Sequence, residues 1–361
     1  MEQLQGKSFI QSEMLLNTIE LTSGVHHTIG GCMSDITRGL DTLRSATDPL
    51  RIDPSSAGSH PFANPGYQRV TDKERYKELV NRTQYWGRQM LLFGTHVHVG
   101  IDRRDKVLPI LRAMMTRAYH IQALSASSPF WGRNDTGYAS NRAMVFQQLP
   151  TAGTPHQFDT WDQLETYAAG MMKTGTIDHF NEVRWDVRPS PGWGTLEVRV
   201  CDANTNTLEL RAIAALIHCL VDFYSSELDA GHTLPSMPEW FVYENKWRSA
   251  RYGMDAILIT DEHGNEEHVK DTLSSTIAAL EPVAQKLGCV DDLAGIYEIC
   301  HEGAAYQRFL KVASANAGSL DAVVAHMRAE MHAERPLTAS KLEAAPGGSY
   351  QRATTGGTTI E

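Results

Sequence analysis

Residues 194–202, GTLEVRVCD, alternate as a β-strand does, and the way that alternation is read decides the fold. Period two puts Leu196, Val198 and Val200 on one face and Thr195, Glu197, Arg199 and Cys201 on the other. A strand half in water often carries charge on its wet side. Two further segments repeat the pattern. In FGTHVHVGI (93–101), His96 and His98 share a face against Thr95, Val97 and Val99. In LLNTIEL (15–21), Thr18 and Glu20 share one against Ile19 and Leu21. Three strands that each turn Glu or His inward can build a wall of hard metal ligands, better suited to Mg²⁺ or Mn²⁺ than to zinc.

Each segment also has a plainer reading. HxH on a strand is by itself a weak signal, because histidine is often half-buried for structural reasons. Glu197 and Arg199 can be a surface pair contributing about 0–1 kcal/mol. Glu20 can be a solvated strand residue, and Arg188 can stack on Trp185 or Trp193. The joint occurrence on strands is what favours a site.

The bulk properties narrow the class. The 361 residues suffice for a large core, and 42% hydrophobic with 21% charged is a globular composition. A formal charge of −10 argues against a nucleic-acid surface. No apolar run reaches membrane-spanning length, and the N-terminal stretch lacks a signal-peptide core. Five cysteines without CxxC spacing suit a reducing cytoplasm, with most of them expected as small buried hydrophobes.

Along the chain, helical spacing occurs at 32–47, with Met33, Ile36, Leu40 and Leu43 on one side. It recurs after Thr71, read as a cap with Glu74 completing a capping box. Further helices are expected at 106–128, kinked at Pro109, at 161–175 and at 208–228, and the C-terminal part is helical. Residues 53–66 and 129–160 read as loops, the latter too aromatic to be disordered. Residues 336–361 read as a disordered Gly/Thr-rich tail, leaving one domain over 1–335. Strands separated by helices of uneven length, without a βαβ rhythm, a GxGxxG or a Walker A loop, indicate an α+β fold.

Taken together, GTHVHVG, LSASSPFWGRNDTGYASNR, WDVRPS, GTLEVRVCDA and NKWRSARYGMDA closely resemble the carboxylate–amine ligases, or glutamate–cysteine ligase type 2 family. QSEMLLNTIELTSGV and GSHPF fit the same pattern, and the likeness runs from about residue 12 to about residue 310. The resemblance implies a glutamine-synthetase-like fold: a curved, mainly antiparallel sheet whose concave face holds ATP and divalent metal, with helices outside. It implies phosphorylation of a carboxylate, that of glutamate in the type reaction, and attack on the acyl phosphate by an amine such as that of cysteine.

Carried over by motif, Glu13, Glu20, His96 and Glu197 resemble the metal ligands. His98 would approach the nucleotide phosphates. Arg199 resembles the arginine that meets the γ-phosphoryl group, and Arg188 a second phosphate or substrate contact. Arg142, Arg248 and Arg251 would hold nucleotide or amino-acid groups. The family pattern begins with a GVE-x-E strand that this chain lacks before QSEMLLNTIEL, so an N-terminally truncated version is expected. An unpaired sheet edge would then allow a homodimer. Two other classes stay open: a zinc hydrolase using His96, His98 and Glu20, which lacks HExxH spacing, and a nucleotide-binding protein without turnover.

Overall fold

The computed structural model describes residues 9–338. Of the tail expected at 336–361, residues 339 onward lie outside the described residues, as does the segment before residue 9. Leu337, by contrast, is buried, and its N–H donates to Glu330 Oε1 (3.0 Å). The chain opens with a small hairpin, β1 (Ile10–Ser12) and β2 (Ile19–Leu21), followed by α1 (Ile29–Thr47) and α2 (Glu74–Thr83). β3 (Gly94–Gly100) then leads to α3 (Arg104–Met115) and α4 (Ala118–Ser125). A two-residue hairpin, β4 (Phe130–Trp131) with β5 (Asn134–Asp135), precedes α5 (Asn141–Phe146) and α6 (Trp161–Lys173).

The central hairpin is β6 (Val187–Ser190) with β7 (Thr195–Asp202), followed by α7 (Thr207–Asp229) and α8 (Glu239–Tyr252). The remainder is β8 (Ile257–Ile259), β9 (Glu266–His268), α9 (Val269–Leu287), α10 (Val290–Glu302), α11 (Ala305–Ala315) and α12 (Leu320–Ala333). This is an α+β arrangement whose sheets are all antiparallel among the described residues. No described helix is long and apolar enough to cross a membrane.

The three-stranded sheet β3–β7–β6 positions everything that follows. Leu196, Val198 and Val200 are buried, and they join a core with Ile110, Met114, Ile121 and Leu124 from α3 and α4 and Ile213, Leu216 and Ile217 from α7. Helices therefore cover one face of the sheet, while the charged residues stand on the other. Burying such aliphatic side chains contributes roughly 1.5–3 kcal/mol each. The β6–β7 turn closes with Trp193 N–H donating to the Ser190 carbonyl (3.0 Å), and Gly194 takes φ +64°, which a side chain would strain.

The register slips once. Thr95 opposes Cys201, but Val97 opposes Val198, so Arg199 and Val200 together face His96. Such a bulge re-aims side chains and interrupts alternation. It corrects the expected placement of Cys201 on the polar face: Cys201 is fully buried in the core, next to Val200.

Other expectations shift for local reasons. The helix at 106–128 is two helices, and it runs through Pro109 without ending there. The break falls at Thr116–Arg117, where Thr116 Oγ1 donates back to the Ala113 carbonyl (2.7 Å) and Arg117 leaves helical geometry. Thr71 is not a cap, since α2 starts after Lys73 without a side-chain cap. Its hydroxyl donates to the Glu13 carbonyl (2.6 Å), and its N–H to that of Met14 (2.8 Å). The capping signal was spent on holding the Glu13 segment. The alternating segment at 93–101 is a strand over 94–100, and the loop at 129–160 contains α5, capped by Ser140.

His120, in the middle of α4, is 1% exposed and its Nε2 has no hydrogen-bond partner. Burial lowers its pKa to about 3. Because the unfolded chain takes up this proton near pH 6.5 and the folded chain does not, stability is full above about 6.5 and falls as pH drops towards 3. His120→Leu should flatten the urea-measured stability profile in that window by roughly 1 kcal/mol per pH unit relative to the parent. Parallel profiles for the two proteins would contradict the assignment.

Candidate active site

On the open face of β7, the Glu197 carboxylate is only 2% exposed, yet it is surrounded by charge. Arg188 Nε, from the neighbouring strand, donates to its Oε2 (2.6 Å), and Arg199 Nη1 donates to its Oε1. His98 Nε2 and His96 Nδ1 stand 3.6 and 3.8 Å from Oε1. The pairings Arg188↔Glu197 and His98↔Glu197 across the two ladders put these side chains in one row, and the bulge brings His96 into it. Burial opposes ionisation of Glu197, but the His98 imidazole, Arg199 and Arg188 outweigh it and hold the carboxyl far below its ordinary range. His96 is pushed well down by burial and by Arg199, so it stays neutral with a lone pair to offer. Arg188 is lowered by burial and by Arg199.

The β1–β2 hairpin is not bonded into this sheet, yet it delivers two more carboxylates. Glu20 is raised by burial and then by its neighbour Glu13, against the pull of Arg199 and Arg75. Arg199 thus lies in electrostatic range of both Glu20 and Glu197. Five of the expected site residues, His96, His98, Arg188, Glu197 and Arg199, come together, and Glu20, with Glu13 beside it, is within the electrostatic reach of Arg199. Among the described residues, no three His, Cys, Asp or Glu side chains are gathered tightly enough to form a metal cage as they stand. Arg188 and Arg199 take up the Glu197 oxygens instead.

The other three expected arginines differ. Arg142, 5% exposed, packs at the end of β7: Nη2 and Nη1 approach the carbonyls of Arg199 (3.4 Å) and Val200 (3.5 Å), Asp202 is 3.8 Å away, and Phe146 stacks on it. Burial lowers its pKa. Arg248 is committed to Glu244 (2.9 Å) and Glu266 (2.5 Å), joining α8 to β9. Arg251 donates to the Gly137 carbonyl and stacks on Tyr138 and Tyr252, fastening the 129–140 segment. Neither of these two contacts the Glu197 group. Arg188 stacks on no tryptophan: its Nη1 donates to the carbonyls of Asn181 and Val183.

Two buried groups escaped the sequence reading. Asp186, just before β6, accepts from Lys246 Nζ (2.7 and 3.0 Å) and from Tyr119 OH (2.9 Å), and its carbonyl accepts the Arg199 N–H (2.8 Å). Asp202 accepts from Ser127 N–H, Ser128 Oγ and Ser140 Oγ within 2.9 Å. Both lie inside the long motifs, WDVRPS and GTLEVRVCDA, but nothing in period-two spacing marks an aspartate as buried and paired.

A row of arginines, imidazoles and carboxylates on an antiparallel sheet backed by helices is the site of an α+β enzyme that handles anionic groups. The sequence relationships agree. Residues 1–326 match the pattern described as Glutamate-cysteine ligase family 2. The chain is 53% identical over 322 residues to the protein named "Putative glutamate--cysteine ligase 2-1" from Arthrobacter sp. (strain FB24), spanning 89% of this chain and 84% of that one. It is 51% identical over 322 residues to "Putative glutamate--cysteine ligase 2" from Mycobacterium ulcerans (strain Agy99), spanning 89% and 82%. The chain belongs to glutamate-cysteine ligase family 2.

Gly94 supplies a test of the packing behind the site. A Cβ there would stand 2.2 Å from Arg142 Nη2, and the guanidinium is enclosed by β7 carbonyls and Phe146. Gly94→Ala should destabilise by about 1–3 kcal/mol, read as a lower urea midpoint with the slope unchanged. An unchanged midpoint would show that Arg142 can retreat freely.

Proposed function

We propose that this chain is a cytoplasmic ATP-dependent carboxylate–amine ligase, with glutamate as the carboxylate and cysteine as the leading amine. The observation that carries the reading is the buried Glu197 carboxylate held by Arg188 and Arg199 beside two imidazoles. In this reading a glutamate carboxylate oxygen attacks the γ-phosphorus and ADP leaves. The amine nitrogen then attacks the acyl carbon, phosphate leaves, and the nitrogen gives up its proton.

Arg199 and Arg188 would take the charge that builds on the transferring phosphoryl oxygens, in a partly water-excluded row where such contacts act strongly. His98, fixed by its Nδ1 contact to Thr195 Oγ1 (2.8 Å), would meet the remaining phosphates. The donor set of Glu13, Glu20, neutral His96 and Glu197 fits Mg²⁺ or Mn²⁺, since it is oxygen-rich and Glu20 is crowded by a second carboxylate. A divalent ion held there would neutralise phosphate charge and orient the chain of phosphates. Arg142 would stiffen the Arg199 backbone through the Arg199 and Val200 carbonyls.

The glutamine-synthetase-like architecture belongs to the same proposal, supported by the division of the sheet into a charged face and a helix-packed face. So does a single catalytic domain, supported by one main core that runs from Ile29 to Tyr306. Acceptor choice would lie in loops, and a panel of amines resolves it.

The purified protein with ATP, Mg²⁺, glutamate and a panel of amines should form ADP and phosphate only when glutamate is present. Arg199→Ala and Glu197→Gln should each lower kcat/KM by about 100-fold or more. Glutamate-dependent turnover that survives both changes would contradict the site, and ADP formation with no acceptor or carboxylate dependence would contradict the reaction.

A further inference from the structure

Arg184 is a cation with no anion of its own. Its Nη1 donates to two neutral acceptors, the carbonyls of Glu182 (2.9 Å) and Pro150 (3.4 Å), and its N–H donates to Thr151 Oγ1 (3.1 Å). No carboxylate among the described residues lies within ion-pair distance of it. The charges that act on it are Glu182 and three like charges, Arg199, Arg188 and Arg82.

The two nearby carboxylates in the chain are already committed. Glu182 Oε1 accepts the N–H groups of Asp178 and His179 (3.1 and 3.2 Å), closing a short turn. Asp186, midway between Arg184 and Arg188, is held by Lys246 and Tyr119. Arg188 Nη1 donates to the carbonyls on either side of Glu182, those of Asn181 and Val183, so Arg184 and Arg188 are anchored on one turn, while the Glu197 carboxylate is taken up by Arg188 and Arg199. Holding like charges together at partial burial is costly unless a counter-charge arrives. Planar guanidinium forks match phosphate and carboxylate oxygens, the two anions a ligase reaction brings.

Resting on the ligase reading, we infer that Arg184 is a third anion-binding residue, which donates with Arg188 and Arg199 to a phosphoryl or carboxylate group of the bound substrates. Its two carbonyl contacts aim the guanidinium and leave its remaining N–H donors for the ligand.

The test uses the full chain, Arg184→Gln and Arg184→Lys. Calorimetry measures binding of inorganic tripolyphosphate, Mg²⁺–ADP and L-glutamate in separate arms, alongside steady-state KM for ATP and for glutamate and the thermal midpoint. Arg184→Gln should weaken at least one arm by about 10- to 100-fold, with Lys restoring part of it and the midpoint little changed. Weakening in the phosphate arms assigns Arg184 to the nucleotide, and weakening in the glutamate arm to the substrate carboxylate. Tripolyphosphate binding that requires Arg184 supports the inference even if no ligase turnover is found. Turnover with unaltered KM values and unaltered binding in Arg184→Gln overturns it while leaving the ligase reading intact. Loss of binding that only tracks a collapsed midpoint, without rescue by Lys, also overturns it, and makes Arg184 a structural staple.

Discussion

The ion triad Arg188–Glu197–Arg199 is the constraint on which the rest depends. A carboxylate 2% exposed cannot stay ionised in isolation, and removing one member of a buried pair costs about 3–5 kcal/mol because the partner is left uncompensated. Glu197 is therefore fixed by its neighbours, and they by it. Such a triad is weak evidence for stability, since well-packed apolar residues would serve a core as well. Its placement on the uncovered face of the sheet, beside two imidazoles, is what gives it chemical meaning. Arginines that hold a carboxylate can exchange it for phosphate without further desolvation of their own, and that exchange would free Glu197 for a cation.

The surroundings maintain this row at the level of the backbone. The bulge opposite His96 turns two strands' side chains towards one carboxylate. The Asp186 carbonyl holds the Arg199 N–H, and Asp186 is itself clamped by Lys246 and Tyr119, so α8 and α4 set the depth of β6. Arg142 and the hydroxyls around Asp202 hold the end of β7. Thr71 performs the matching task for Glu13. Each contact acts through another group. None of these residues needs to touch a substrate.

Much of this was legible in the sequence, and the parts that were not have identifiable causes. Period two in GTLEVRVCD and GTHVHVG placed Glu197, Arg199, His96 and His98 correctly, because half-buried strands obey alternation strictly. The same rule misplaced Cys201, since a bulge is a two-strand property that neither strand states alone. Helices with long apolar stripes, such as that of α7, were visible from spacing. The break at Thr116–Arg117 was not, because the only breaker in that window was Pro109, which the helix tolerates. Thr71 carried a capping signal and used its hydroxyl in a tertiary contact instead. Arg184, Asp186 and Lys246 share a further difficulty: whether a charged residue is paired depends on who else is near, and no one-dimensional pattern records that.

On this account the charged face of β3–β7–β6 is a phosphate site, with Glu197 occupying the two arginines, Arg188 and Arg199, that would meet the phosphoryl oxygens. A crystal structure of the full chain with Mg²⁺ and a non-hydrolysable ATP analogue tests it most directly. The account predicts the terminal phosphate within hydrogen-bond distance of Arg199 and Arg188, and Glu197 released from at least one of them towards the metal. A nucleotide bound elsewhere, with both Arg–Glu197 pairs unchanged, would contradict it.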